Sequence, residues 1–189
     1  GASVVLVDER AKLGGQYYKQ PDEHLVADPE RLDRQYRGGR ALAERVRRSG
    51  ARVLSGVTVW GAIDAHDLLA RDDEGDWRIR GRRLVLAPGA YERGVPFPGW
   101  TLPGVMTTGA AQTLLRAHQV AAGTRVLVSG NGPLNLQLAA ELAAHGVEVV
   151  AVAELAPMRR PSRLPHAVAM AAAAPDLAVD GLRYGWALR

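Results

Sequence analysis

An α/β fold built on parallel strands is predicted by three features of this 189-residue chain. First, an apolar run (Val126–Val128) meets a Gly-x-Gly turn at Gly130 and Gly132, then an Ala/Leu-rich helical stretch, then a second apolar run (Val147–Val152) closed by Glu154. Strand, tight turn, helix, strand is a crossover unit that lays two parallel strands side by side. Second, the opening residues GASVVLVDE repeat the end of that pattern, an apolar run (Val4–Val7) followed by Asp8 and Glu9. Third, a long helical pattern and a β-rich section lie between the two.

Taken in order, Gly1 stands where a helix would end, Val4–Val7 reads as a strand and Asp8 as its closing acid. The partner strand and glycine loop of that unit are expected before residue 1, so the chain reads as truncated at its N-terminus. The end, Ala178–Arg189, likewise carries no helix cap or closing strand. Gly14 and Gly15, in GGQYY, permit a close backbone approach to a ligand or form an ordinary surface turn. A helix is predicted from about Pro29 to Ser49, with Leu32, Leu42 and Val46 as its apolar stripe and Gly38-Gly39 as a candidate interruption. Its arginines (Arg31, Arg34, Arg37, Arg40, Arg45, Arg47, Arg48) are interspersed with Asp33 and Glu44. That pattern reads as a solvated face rather than a nucleic-acid surface.

Strands are predicted at Val53–Leu54, Val57–Ile63, Asp67–Arg71 and Trp77–Arg80, with Asp73, Glu74 and Gly75 as turn residues. Arg83–Ala87 (RLVLA) reads as a buried strand that stops at Pro88-Gly89. Residues 94–104, dense in Pro and Gly, read as an irregular connection, and Thr107–His118 as a helix. The domain boundary is placed near residues 96–122, giving parts 1–105 and 106–189.

An apolar content of 47% is enough for a core, and the net charge is a modest +4. No membrane span or signal peptide is read from the pattern, and a cytoplasmic location is expected. The chain has no cysteine, so thiol–disulfide chemistry from these residues is excluded. His24, His66, His118, His145 and His166 show no metal-ligand or triad spacing, and no residue stands out as a catalytic acid, base or nucleophile.

The intact unit carries chemistry. Gly130 allows the turn and Gly132 lets the backbone approach a pyrophosphate, while the helix start turns free N–H groups and a positive dipole toward phosphate oxygens. Asn131 and Pro133 complete the turn, and Glu154 is placed to bind ribose hydroxyls. The third glycine of the pattern is replaced by Asn135. The same unit also occurs with an empty crevice, so shape alone leaves binding open.

DERAKLGGQYY at 8–18, RLVLAPGAYERGVPFPGWTLPGVMTTGAAQTLL at 83–115 and the turn at 130–135 together resemble the two-dinucleotide-domain FAD/NAD(P)-binding oxidoreductases, the pyridine nucleotide-disulphide oxidoreductase-like superfamily. Within it the likeness is to the α-type subunits of opine oxidases, hydrogen cyanide synthase and sarcosine oxidase. The resemblance implies a three-layer, Rossmann-like fold: a partial FAD-binding domain, a small β-rich section and a partial NAD(P)-binding-like domain. It places Asp8, or Glu9, on the adenosine ribose of FAD, Gly14, Gly15 and Gln16 along the pyrophosphate and ribityl chain, and Val59 at the adenine through its backbone. Ala87-Pro88-Gly89 falls where relatives have Ala-Thr-Gly beside FAD; Pro88 removes a hydroxyl and an N–H there. Gly130, Asn131, Gly132, Pro133, Asn135 and Glu154 would form a second nucleotide site. Glu154 would favour NAD over NADP, with Arg159 and Arg160 as an alternative 2′-phosphate contact. Tyr17, Tyr18, Arg93 and Trp100 would lie near the flavin or serve packing. The cofactor implied is FAD, with NAD(P) as a second candidate. The activity implied is hydride or electron transfer from an amine, amino acid or opine-type small molecule, in a bacterial enzyme where a second oxidoreductase subunit is the partner. The alternative is a non-catalytic nucleotide-binding or electron-transfer scaffold in such a complex.

Overall fold

The computed structural model describes residues 2–25, 33–154, 164–175, 178–179 and 181. Backbone contacts divide the chain into two units, Gly1–Tyr91 and Glu92–Arg189.

In the first unit, β1 (Val5–Asp8) pairs in parallel with β2 (Arg52–Ser55), in a register running from Val5 opposite Arg52 to Asp8 opposite Ser55. Parallel neighbours need a crossover, and α1 (Arg34–Arg48) supplies it. Asp33 caps its start by accepting the Tyr36 N–H at 2.9 Å, a bond that satisfies one of the helix's orphan donors. Arg45, Arg47 and Arg48 in the last turn complement the negative end of the helix dipole. The predicted residues 29–32 of this helix, with Arg31 and Leu32, lie outside the described residues.

Gly38 and Gly39 do not interrupt α1. Gly39 is buried and backs onto the 14–20 segment. A Cβ there would sit 2.6 Å from the Cβ of Tyr18 and would collide with the Gln20 amide. The glycine is used for close packing, and the loss of helix propensity is tolerated because tertiary contact replaces it.

An antiparallel meander follows: β3 (Thr58–Asp64), β4 (Asp67–Asp72) and β5 (Gly75–Arg80). Asp72 fixes the β4–β5 turn. Its Oδ1 accepts the Glu74 and Gly75 N–H groups at 2.9 and 3.0 Å, and its Oδ2 accepts the Trp77 indole N–H at 2.7 Å.

The strand predicted at Arg83–Ala87 does not form. Residues 84–90 are irregular, with Val85 86% and Leu86 78% exposed. A fully apolar run becomes a strand only when neighbouring strands hydrogen-bond it and layers cover both faces. Among the described residues, the β1–β2 sheet holds those two strands and no third.

In the second unit, residues 94–104 form linked turns, as predicted, with the N–H groups of Trp100, Leu102 and Val105 donating to the carbonyls of Phe97, Gly99 and Leu102. Helix α2 (Thr108–His118) is capped by Thr107, whose hydroxyl accepts the Ala110 N–H at 3.2 Å. Then come β6 (Arg125–Gly130), α3 (Pro133–Ala144) and β7 (Glu148–Glu154), with β6 and β7 parallel and Gly130 opposite Glu154. Val128, Val147, Leu138, Ala139, Leu142 and, from α2, Ala111 and Leu115 make the core. Leu127 and Val150 point to the other face of the sheet and are exposed. A further helix, α4 (Leu164–Ala173), runs through the alanine-rich stretch, where no element is expected from the sequence pattern.

Candidate nucleotide-binding site

The second unit brings the predicted residues of its turn together. β6 ends at Gly130 with φ +152°, and Gly132 follows at φ +125°. Both values lie where L side chains are strained. Among the described residues, nothing lies within 4 Å of where a Cβ on Gly132 would be, so the backbone there is open to a close-approaching group. Pro133 occupies the first turn of α3, where its missing N–H costs no helical bond. The Gly132 N–H donates to Oε1 of Glu154 at 3.2 Å, across 22 residues. The closing acid of β7 therefore lies against the glycine turn, at the positive end of α3. Asn131 is exposed beside it, and Asn135 is buried beneath it. The open backbone at Gly132 would admit a phosphate, and the Glu154 carboxylate would accept from ribose hydroxyls.

Helices α2 and α3 lie side by side and run in the same direction. At one end the Thr108 hydroxyl donates to Asn135 Oδ1 at 2.7 Å. Toward the other, Arg116 and Glu141 form an ion pair at 2.6 Å whose side chains are 4% and 14% exposed. The Gln137 and Gln112 amides donate to the same carboxylate at 2.9 and 3.4 Å. Glu92 accepts the Gly109 N–H at the start of α2 at 2.5 Å. Sequence reasoning singled out none of Glu92, Thr108, Gln112, Arg116, Gln137 or Glu141 as site residues. The departure at Asn135 was the one visible signal.

In the first unit, Asp8 ends β1 half-buried. Its Oδ1 accepts the Arg10 N–H at 3.0 Å and its carbonyl accepts the Val57 N–H at 3.1 Å. The neighbouring Glu9 is exposed and takes the Tyr91 hydroxyl at 2.5 Å. That bond, and then the carboxylate charge, holds the Tyr91 phenol above its ordinary range. Gly14 (φ +129°) and Gly15 (φ +57°) form a turn closed by the Tyr18 N–H on the Gly14 carbonyl at 2.9 Å, with Gln16 half-buried inside it. Among the described residues, nothing lies within 4 Å of where a Cβ on Gly15 would be. Val59 lies on β3 and is exposed, while the buried Val57 just before it is the residue tied to the end of β1. Ala87, Pro88 and Gly89 lie in the exposed irregular segment. Tyr17 and Tyr18 stack edge to face at 4.7 Å. Arg159 and Arg160 lie outside the described residues. An open hollow of about 430 Å³ is lined by Asp64, His66, Asp67, Arg80, Gly81 and Arg82; it lies at the end of the meander, where Asp67 pairs with Arg78 and Arg80. His66 and His145 each place Nδ1 against a backbone carbonyl, of Gly81 and Glu141 respectively.

Residues 1–175 match the family model described as pyridine nucleotide-disulphide oxidoreductase. An opine oxidase subunit of Rhizobium meliloti is 34% identical over 191 residues, covering 100% of this chain and 42% of its own length. Hydrogen cyanide synthase subunit HcnB of Pseudomonas protegens is 32% identical over 210 residues, covering 98% of this chain and 42% of its own. The chain thus spans about two fifths of the length of these relatives. The crystal structure of L-proline dehydrogenase from P. horikoshii superposes over 84% of this chain and 31% of that one, with a TM-score of 0.61 and 21% identity, a likeness of fold.

Proposed function

Because this chain belongs to the pyridine nucleotide-disulphide oxidoreductase family, we infer that it is the nucleotide-binding portion of an FAD-dependent oxidoreductase subunit. In this reading it acts in the cytoplasm on an amine, amino acid or opine-type donor, beside a second oxidoreductase subunit. The observation that carries the reading is the glycine turn of the second unit, open at Gly132 and tied to the acid of β7. The relatives named as subunits of opine oxidase and hydrogen cyanide synthase support the donor class and the partner.

Bound FAD would supply two-electron redox chemistry; this chain would supply binding and orientation. Asp8 would hold the adenosine ribose at the carboxyl end of β1, where ligands of open α/β sheets gather. Gly14, Gly15 and Gln16 would lie along the pyrophosphate and ribityl chain. Val59 and Ala87-Pro88-Gly89 would be backbone contacts to the same cofactor. Gly130–Asn135 would receive a second dinucleotide. Glu154 would bind its ribose hydroxyls, and its charge would repel a 2′-phosphate, favouring NAD over NADP. The absence of cysteine removes a thiol pair from these residues, so electrons would pass to an acceptor other than a disulfide held by this segment.

The test is the visible absorption spectrum of the full-length protein after desalting. Flavin bands that persist support the oxidoreductase reading. A colourless, folded protein would move the assignment to a non-catalytic scaffold.

A further inference from the structure

Asn135 stands where a nucleotide-binding turn is expected to carry its third glycine. The side chain is not turned out to solvent: the residue is only 7% exposed. A buried amide must have its polar atoms satisfied, and here the partner comes from outside the strand–turn–helix unit. The Thr108 hydroxyl, in the first turn of α2, donates to Oδ1 at 2.7 Å. That bond fixes which way the amide faces. Nδ2 is turned toward Gly130, where an added Cβ would lie 2.8 Å from it. The residue at 130 is therefore glycine for two reasons, its φ of +152° and the amide packed beneath it. A flipped amide would aim a carbonyl oxygen at a turn whose expected ligand is an anionic diphosphate. The turn already faces the Glu154 carboxylate, so the polarity of this buried group matters.

We propose that Thr108 and Asn135 are a positioning pair: the α2 hydroxyl holds the Asn135 amide beneath the Gly130–Gly132 turn, so the turn's affinity for the diphosphate of an adenine dinucleotide depends on α2. This rests on the reading of that turn as a second nucleotide site. The Arg116–Glu141 ion pair ties the same two helices further along, so loss of the hydroxyl is expected to disturb the turn more than the fold.

The experiment is titration of the full-length protein with NADH, followed by fluorescence, for wild type, Thr108→Val, Thr108→Ser, Asn135→Ala and the double variant Thr108→Val/Asn135→Ala. Thr108→Val, which keeps shape and loses the donor, is expected to weaken NADH about five- to tenfold, the scale of one lost hydrogen bond. Thr108→Ser, which keeps the donor, is expected to stay within about twofold of wild type. Thr108→Val leaves the buried Asn135 Oδ1 without this donor and is expected to lower the thermal midpoint as well, so affinities are compared well below the lowest midpoint, where every variant is folded. In the Asn135→Ala background, Thr108→Val is expected to have no further effect, because interacting residues are non-additive. Wild-type affinity in Thr108→Val, or fully additive losses in the double variant, overturns the positioning pair while leaving the nucleotide site in place. If wild type itself does not bind NADH, the second-site reading falls and the pair falls with it.

Discussion

The buried ion pair between α2 and α3 gives the most demanding test of the packing argument. Arg116 and Glu141 meet at 2.6 Å with little exposure on either side. Two unit charges about 4 Å apart at an effective dielectric near 20 attract by about 4 kcal/mol, and desolvation offsets much of that. What does not cancel is the removal of one partner, which strands a charge and typically costs about 3–5 kcal/mol. In Arg116→Met, the Glu141 carboxylate keeps the Gln137 and Gln112 amides as donors, so the cost should lie near the lower end. In Glu141→Leu, the guanidinium loses this carboxylate at a site only 4% exposed, and the cost should fall within the same range. Arg116→Met/Glu141→Leu removes both charges and should be less destabilised than Glu141→Leu alone, because an apolar pair of similar volume can replace a buried salt bridge. Urea unfolding of the four proteins, with slopes compared to confirm a common transition, gives the three differences. If each single change costs under about 1 kcal/mol and the effects add, the pair carries no buried charge and the reasoning fails.

Gly38→Ala is expected to be neutral or stabilising by up to about 1 kcal/mol, since alanine is the better helix former and its Cβ would meet Tyr18 at an ordinary 3.5 Å. Gly39→Ala, one position on, should destabilise despite the same propensity gain, because its Cβ would lie 2.6 Å from the Cβ of Tyr18; paired thermal melts decide it. Arg78, mainly by its hydrogen bonds, and then Arg80 hold the Asp67 carboxyl below the ordinary aspartate value of 3.8. Its contribution to stability should thus be complete above about that pH and fade as pH falls through the lowered folded-state value; acid unfolding of Asp67→Asn should lack this component. The Tyr91 phenol, raised above 10.0 mainly by its bond to Glu9, should ionise at lower pH in Glu9→Gln, read as phenolate absorbance against a Tyr91→Phe blank.

The parts of this molecule that were legible in sequence are those whose signals are local. Thr107 before an apolar helix, Gly130 and Gly132 after a β-branched run, and alternation through the meander each act over a few residues. The elements they announce formed within a residue or two of expectation. The failures share a different cause. Arg83–Ala87 has the composition of a buried strand, yet strand formation is decided by partners on either side, and composition does not report them. Gly39 looks like a helix breaker until Tyr18, 21 positions earlier, is seen packed against it. Thr108 looks like an ordinary first-turn threonine until Asn135, 27 positions later, is found on its hydroxyl. The candidate site divides along the same line. Its backbone, the open glycines and the acid tied to Gly132, follows from a motif. The hydroxyl that bonds the buried Asn135 amide beneath that backbone, from Thr108, comes from a helix the motif does not include. A replacement of the third glycine is therefore not in itself evidence of a decayed site. At position 135 the substituted side chain is buried, bonded and turned toward the loop, the arrangement expected of a residue that supports the turn.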